Sequence, residues 1–174
     1  SSNNIKFRID SDGDLFTDGG TTIGTPADLA ENYPALEALD AGTVVAFGSS
    51  TVAWEQADDI ASSTQTYDIS GVQKAVNGYE AVGVISTKAG ITLGGNTTNG
   101  VPVAFAGRVP VKVTSENGEV KRGDYLTVSR TIPGHAMKLT GEGRAIGRVI
   151  SDHIAGRDKV MMLIENGYQK LSAD

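Results

Sequence analysis

The sequence contains no cysteine, so neither a disulfide framework nor a thiolate metal site can form. Its two histidines, His135 and His153, each lie in a glycine-containing polar context that reads as a turn. Aromatic residues make up only 6% of the chain. No run of about 18 apolar residues occurs, so no helical membrane insertion is expected. Basic residues number 15 against 21 acidic ones, a net charge of −6. That balance excludes the basic face on which nonspecific nucleic-acid binding depends. Catalytic signatures are missing too: there is no Gly-x-Ser-x-Gly elbow, no His-Glu-x-x-His and no phosphate-binding loop, and Gly141 to Gly147 misses the dinucleotide spacing. No cofactor is expected. Arg122-Gly123-Asp124 spells an adhesion tripeptide but reads as the polar turn before a strand. Ser1 opens no signal peptide, so the chain is expected to be a mature product or a piece of something longer.

What is present points to β-structure. The 174 residues suffice for one domain with a real core, alone or with a short appendage, and 22 glycines suit a turn-rich chain. From Val101 to Val128 apolar and polar residues alternate almost without interruption. Val109, Val111 and Val113 fall on one side, with Arg108, Lys112 and Thr114 on the other, which is the two-residue period of a half-buried strand. Glu116-Asn117-Gly118 predicts a tight hairpin turn, with the apolar pattern resuming at Val120. Pro102 and Pro110 lack a backbone donor and predict an edge, a start or a bulge rather than a central strand. Residues 160–164, apolar on both faces, predict a buried final strand. The expected fold is all-β, a small barrel or sandwich, with a short N-terminal β-hairpin extension and at most one or two short helices.

Taken in order, residues 1–24 form the extension. Ile5, Phe7 and Ile9 alternate with Lys6, Arg8 and Asp10, a turn follows, and Leu15-Phe16 returns. One hairpin buries too little to be stable alone, so Ile5, Phe7 and Ile9 are candidate assembly residues. Asp10, Asp12 and Asp14 surround a glycine as in oxygen-rich calcium loops, but Thr21 stands where a bidentate glutamate would close such a loop. A solvated turn, with no metal, is the expectation. Residues 25–174 form the head. Thr25 as N-cap and Pro26 at the first helical position predict a short helix to Tyr33, and near Trp54 to Ile60 the spacing allows either a second helix or an irregular loop. The polar excursion from Ser49 to Gly78 and the glycine-rich stretch from Ile91 to Gly100 read as loops, where recognition usually sits. Asn96-Thr97-Thr98 is a glycosylation sequon if the chain meets a glycosylating pathway. An internal duplication is also visible: residues 41–47 parallel 122–128, and 81–85 parallel 145–149, though the spacings between paired motifs are unequal.

Residues 105–113, then Gly118, Gly123-Asp124-Tyr125-Leu126 and Gly134-His135-Ala136-Met137-Lys138, resemble a β-rich domain near the C-terminus of phage tail-fibre and appendage proteins, with similar domains in large bacterial surface proteins. Residues 27–34 and 82–90 fit the same pattern, so the resemblance spans roughly residues 25 to 165. It implies a structural and recognition domain of an extracellular fibre, assembling as a homotrimer, with a cell-surface receptor or glycan as the further partner. An alternative is an extracellular filament subunit that polymerises linearly, residues 4–10 completing the sheet of the next copy. Some members of the resembling group cut themselves from the fibre by intramolecular autoproteolysis, with acidic residues in an Asp-x-Ala-Glu motif. Here that pattern is Asp28-Leu29-Ala30-Glu31. On a helix the two carboxylates would lie one turn apart and could share acid and base duties; the plainer expectation is compensation of the helix dipole and no enzyme activity.

Overall fold

The computed structural model describes residues 7–9, 15–17, 27–58, 63–94, 97–154 and 156–170. Twelve strands and no helix are found among them. The first two, β1 (Phe7–Ile9) and β2 (Leu15–Thr17), pair antiparallel as a separate two-stranded sheet, with Phe7 opposite Thr17 and Ile9 opposite Leu15. The others are β3 (Asp28–Pro34), β4 (Val44–Asp58), β5 (Ser63–Lys74), β6 (Gly83–Ile85), β7 (Ile91–Leu93), β8 (Gly100–Lys112), β9 (Tyr125–Val128), β10 (Ala136–Lys138), β11 (Gly143–Val149) and β12 (Lys159–Gln169). They join in one curled, largely antiparallel sheet that forms a half-barrel, in the order β10-β9-β11-β12-β8-β6-β4-β5, with β3 on β8 and β7 parallel to β3.

The duplication seen in the sequence is built into this order. In one half Val44 pairs with Val84 and Val45 with Gly83; in the other Tyr125 pairs with Arg148 and Leu126 with Gly147. These are the same alignments that the two repeated motifs define. The turns correspond as well. Gly42 N–H donates to Ile85 O at 2.8 Å and Gly123 N–H to Val149 O at 2.8 Å, both glycines at positive φ. At Gly83 an added Cβ would run into the carbonyl of Ala104, and at Gly147 into that of Leu163, so each half needs a glycine where two strands approach closely. Hairpin partners match too: Val45 lies opposite Lys74 as Leu126 lies opposite Lys138. The unequal spacing comes from insertions between conserved pairings, above all in the β4–β5 hairpin.

The core lies inside the curl. Val109 and Val111 of β8, Val160 and Met162 of β12, Leu126 of β9 and Val44 of β4 meet there, all buried. A smaller cluster on the other face of the sheet joins Val45, Val72, Ile85 and Val103.

Several expectations change. The helix over residues 26–33 is instead strand β3, pairing along β8 from Asp28 to Pro34, and the one near Trp54 lies largely in β4. Pairing with neighbouring strands overrides the local capping signals. Pro102 and Pro110 sit in the central strand, at gaps in its ladder. Arg108 N–H donates to Ala27 O and Lys112 N–H to Gly42 O, so Pro110 falls between two partners where no donor is required. Pro102 accepts from Ser86 N–H just beyond the end of β6. Gly118 does make a turn, its N–H donating to Ser115 O at 2.9 Å, but the turn does not join paired strands; Val120 is a buried loop residue and β9 begins only at Tyr125. The excursion from Ser49 is mostly a ribbon of β4 and β5 rather than loop.

Candidate assembly surface

The ribbon is the feature that the sequence did not announce. Close to the body, β4 and β5 pair from Val45–Lys74 to Phe47–Val72, matching the short β9–β10 hairpin of the other half. There the other half turns back through residues 129–135. Here the register shifts between Phe47 and Thr51, and pairing resumes at Thr51–Ser70 and runs to Asp58–Ser63. Leu36 packs under the shift against both Gly48 and Gly71, leaving no room for a side chain at either. Eight residues of strand beyond that point make an arm of about 25 Å. Thr51, Ala53, Thr66 and Asp68 are exposed along it, while Val52 and Ile69, directly opposite each other, are half-buried. Tyr67, 49% exposed, lies on the side of Ile69, opposite the backbone of Trp54. Its strand signal was the run of β-branched and aromatic residues at Thr51-Val52 and Thr64 to Ile69, masked by abundant polar neighbours.

Of the expected assembly residues, Phe7 and Ile9 lie in β1, and Ile5 lies outside the described residues. Asp10, Asp12, Asp14 and the sequon residue Asn96 also lie outside them. Among the described residues no cluster of three or more His, Asp or Glu could hold a metal ion.

Strand β3 separates the two candidate catalytic carboxylates. Asp28 and Glu31 fall on opposite faces, so the shared arrangement that a helix would have given does not form. Asp28 is 7% exposed and its Oδ2 has no hydrogen-bond partner. Around it Gly90 N–H donates to the Asp28 carbonyl at 2.9 Å, and Gly107 at positive φ lets β8 pass the 27–28 backbone. Glu31 instead accepts from the Tyr33 hydroxyl at 3.0 Å. Burial, and then the Glu31 carboxylate, push that phenol above its ordinary pKa.

Two polar networks fix the loops between strands. Glu116 accepts from the Ser129 and Thr131 hydroxyls, both at 2.6 Å, and from Arg130 N–H at 2.9 Å. Burial raises its carboxyl, and these donors together outweigh that and hold it below the usual carboxylate range. Lys112, whose side chain is only 13% exposed, pairs with Asp40 at 2.6 Å and reaches Thr43 at 3.2 Å. Lys112 chiefly, and Thr43 after it, lower the Asp40 carboxyl. A shallow polar groove of about 230 Å³, lined by Asn77, Tyr79, Asn117, Thr140 and Arg130 among others, opens over β9 and β10.

No family model matches the chain, and neither does any curated protein. Among solved structures the fold is similar to the pre-mature bacteriophage phi29 gene product 12, with a TM-score of 0.57 and 14% identity over 91% of this chain. The chain spans 24% of that protein's length. It is also similar to a C-terminal fragment of bacteriophage phi29 gene product 12, with a TM-score of 0.50 and 15% identity, covering 79% of this chain and 100% of the fragment. At such identities the likeness is one of fold.

Proposed function

We propose that the chain is a structural domain of a phage-fibre-like appendage, associated with a virion or a cell surface outside the cell, and that it assembles with copies of itself as a homotrimer. The observation that carries this is the likeness of fold to the phi29 C-terminal fragment over that fragment's whole length. The mechanism is geometric. The head is held by the half-barrel core, while β1 and β2, too small to be stable as an isolated hairpin, supply strand and apolar contacts to a shaft or to neighbouring copies. Receptor or glycan recognition falls to the loops and grooves of the head. The test is to replace Ile5, Phe7 and Ile9 together by serine and measure native mass. The assembly falls apart to a folded monomer if these residues join the copies; an unchanged mass removes them from the contact. Growth into open filaments, lost on deletion of residues 1–10, would favour a linear polymer instead.

A second reading, self-cleavage of the backbone upstream of the head, draws on Asp28, which is buried with a side-chain oxygen that has no hydrogen-bond partner. Asp28→Asn in a longer precursor should then leave it uncut; processing at the original rate rules the residue out.

A further inference from the structure

The two halves of the sheet share their pairings, yet only one carries an arm. The short β9–β10 hairpin shows that this unit closes without one, so core folding does not account for the ribbon beyond Thr51. Its chemistry differs from the body's. Residues 49–70 hold four acidic residues, Glu55, Asp58, Asp59 and Asp68, and no Lys or Arg. Residues 101–170 hold eleven Lys and Arg against seven Asp and Glu, a net charge of +4 that balances the arm's −4.

That basic half presents a sheet face on the outside of the curl. Register places Arg108, Leu163, Arg148 and Tyr125 in one row across β8, β12, β11 and β9. Val109, Met162 and Val149 are buried on the opposite side, so this row faces out. Arg108 is exposed and has no ion-pair partner among the described residues; Arg148 pairs with Glu165 at 3.2 Å and stacks over Tyr125. Ile150, two residues beyond Arg148 along the chain, is 40% exposed. Arg108 and Arg148, beside Leu163, Tyr125 and Ile150, complement a narrow acidic ribbon that carries Val52 and Ile69 on one face and Asp68 on the other.

We infer that the β4–β5 arm docks on the outer face of β8, β12, β11 and β9 of a second copy of this chain. The inference rests on the self-assembly reading above and adds a second contact surface to the one assigned to β1 and β2.

The chain's only tryptophan, Trp54, lies in β4 on the arm, and its emission is the readout of the test. Wild-type chain at a fixed low concentration is titrated with full-length Trp54→Phe chain, which presents the same sheet face and emits no tryptophan fluorescence. The expected result is a saturable shift of Trp54 emission to shorter wavelength, with reduced acrylamide quenching. The apparent affinity should fall as salt is raised, because screening weakens charge pairing. A titrant that also carries Arg108→Glu and Arg148→Glu should bind about tenfold more weakly or worse, corresponding to about 1.4 kcal/mol. Should circular dichroism show that titrant unfolded, Arg108→Gln with Arg148→Gln takes its place and should weaken binding in the same direction. If light scattering shows oligomers while Trp54 emission stays as in the monomer, the arm is not in the contact and the inference falls, leaving the assembly reading standing. A chain that is monomeric throughout removes both.

Discussion

Glu116 shows how much of this fold rests on single polar residues between strands. Its carboxylate satisfies the hydroxyl of Ser129, which is almost completely buried, together with Thr131 and the Arg130 N–H. Glu116→Ala should therefore cost about 1–3 kcal/mol, the range for leaving a buried donor unsatisfied. The pH dependence follows from the direction of the shift. A carboxyl held below its ordinary value in the folded chain contributes stability that is present above that ordinary value and is lost as the pH falls through the lowered one. Thermal unfolding followed from pH 7 into the acid range should show wild type losing stability more steeply than Glu116→Gln. Parallel curves would contradict this assignment. Asp40, lowered chiefly by its hydrogen bond from Lys112, titrates in the same direction; both carboxylates are exposed, so solvent screening reduces the share of each.

At the scale of elements, the duplicated unit makes paired predictions. Gly83→Ala and Gly147→Ala each drive a Cβ into the carbonyl of the neighbouring strand, at Ala104 and Leu163, and each should destabilise by about 1–3 kcal/mol or more. Gly78→Ala meets nothing but adopts positive φ, so its smaller cost is conformational alone. Chemical denaturation of the three variants checks the order; a neutral Gly147→Ala would break the correspondence between the halves. This correspondence was legible in residues 41–47 against 122–128, because each half repeats a glycine turn followed by a strand and later a glycine inside a strand. The trunk strand was legible as well, from Val109 and Val111. Strand β3 was not, since Pro26, Asp28 and Glu31 carry real helix-start signals and only pairing along β8 overrides them. Nor was the arm: its polar exposed face hides the two-residue period, and long-range pairing from Thr51–Ser70 to Asp58–Ser63 is not a local signal. Asp28 was singled out by motif, while its separation from Glu31 needed the strand.

For the whole molecule, the strand order decides what is available for assembly. Along its main path the long sheet ends in hairpin strands, β10 at one side and β5 at the other, with β7 ending the branch through β3, and β5 leaves the body along the arm. The half-barrel is thus open, with an acidic ribbon projecting from a body whose C-terminal half is basic. Near the body these ends are partly covered, Ala35 bridging Val72 of β5 and Val113 bridging Ala136 of β10, so the arm beyond Thr51 is the strand surface that the proposed contact between copies uses. The most direct test is the native mass of the purified chain by light scattering across a dilution series. Three times the 18.1 kDa chain mass is expected at high concentration, falling toward one chain on dilution and with raised salt. A mass of one chain at every concentration and salt would contradict it.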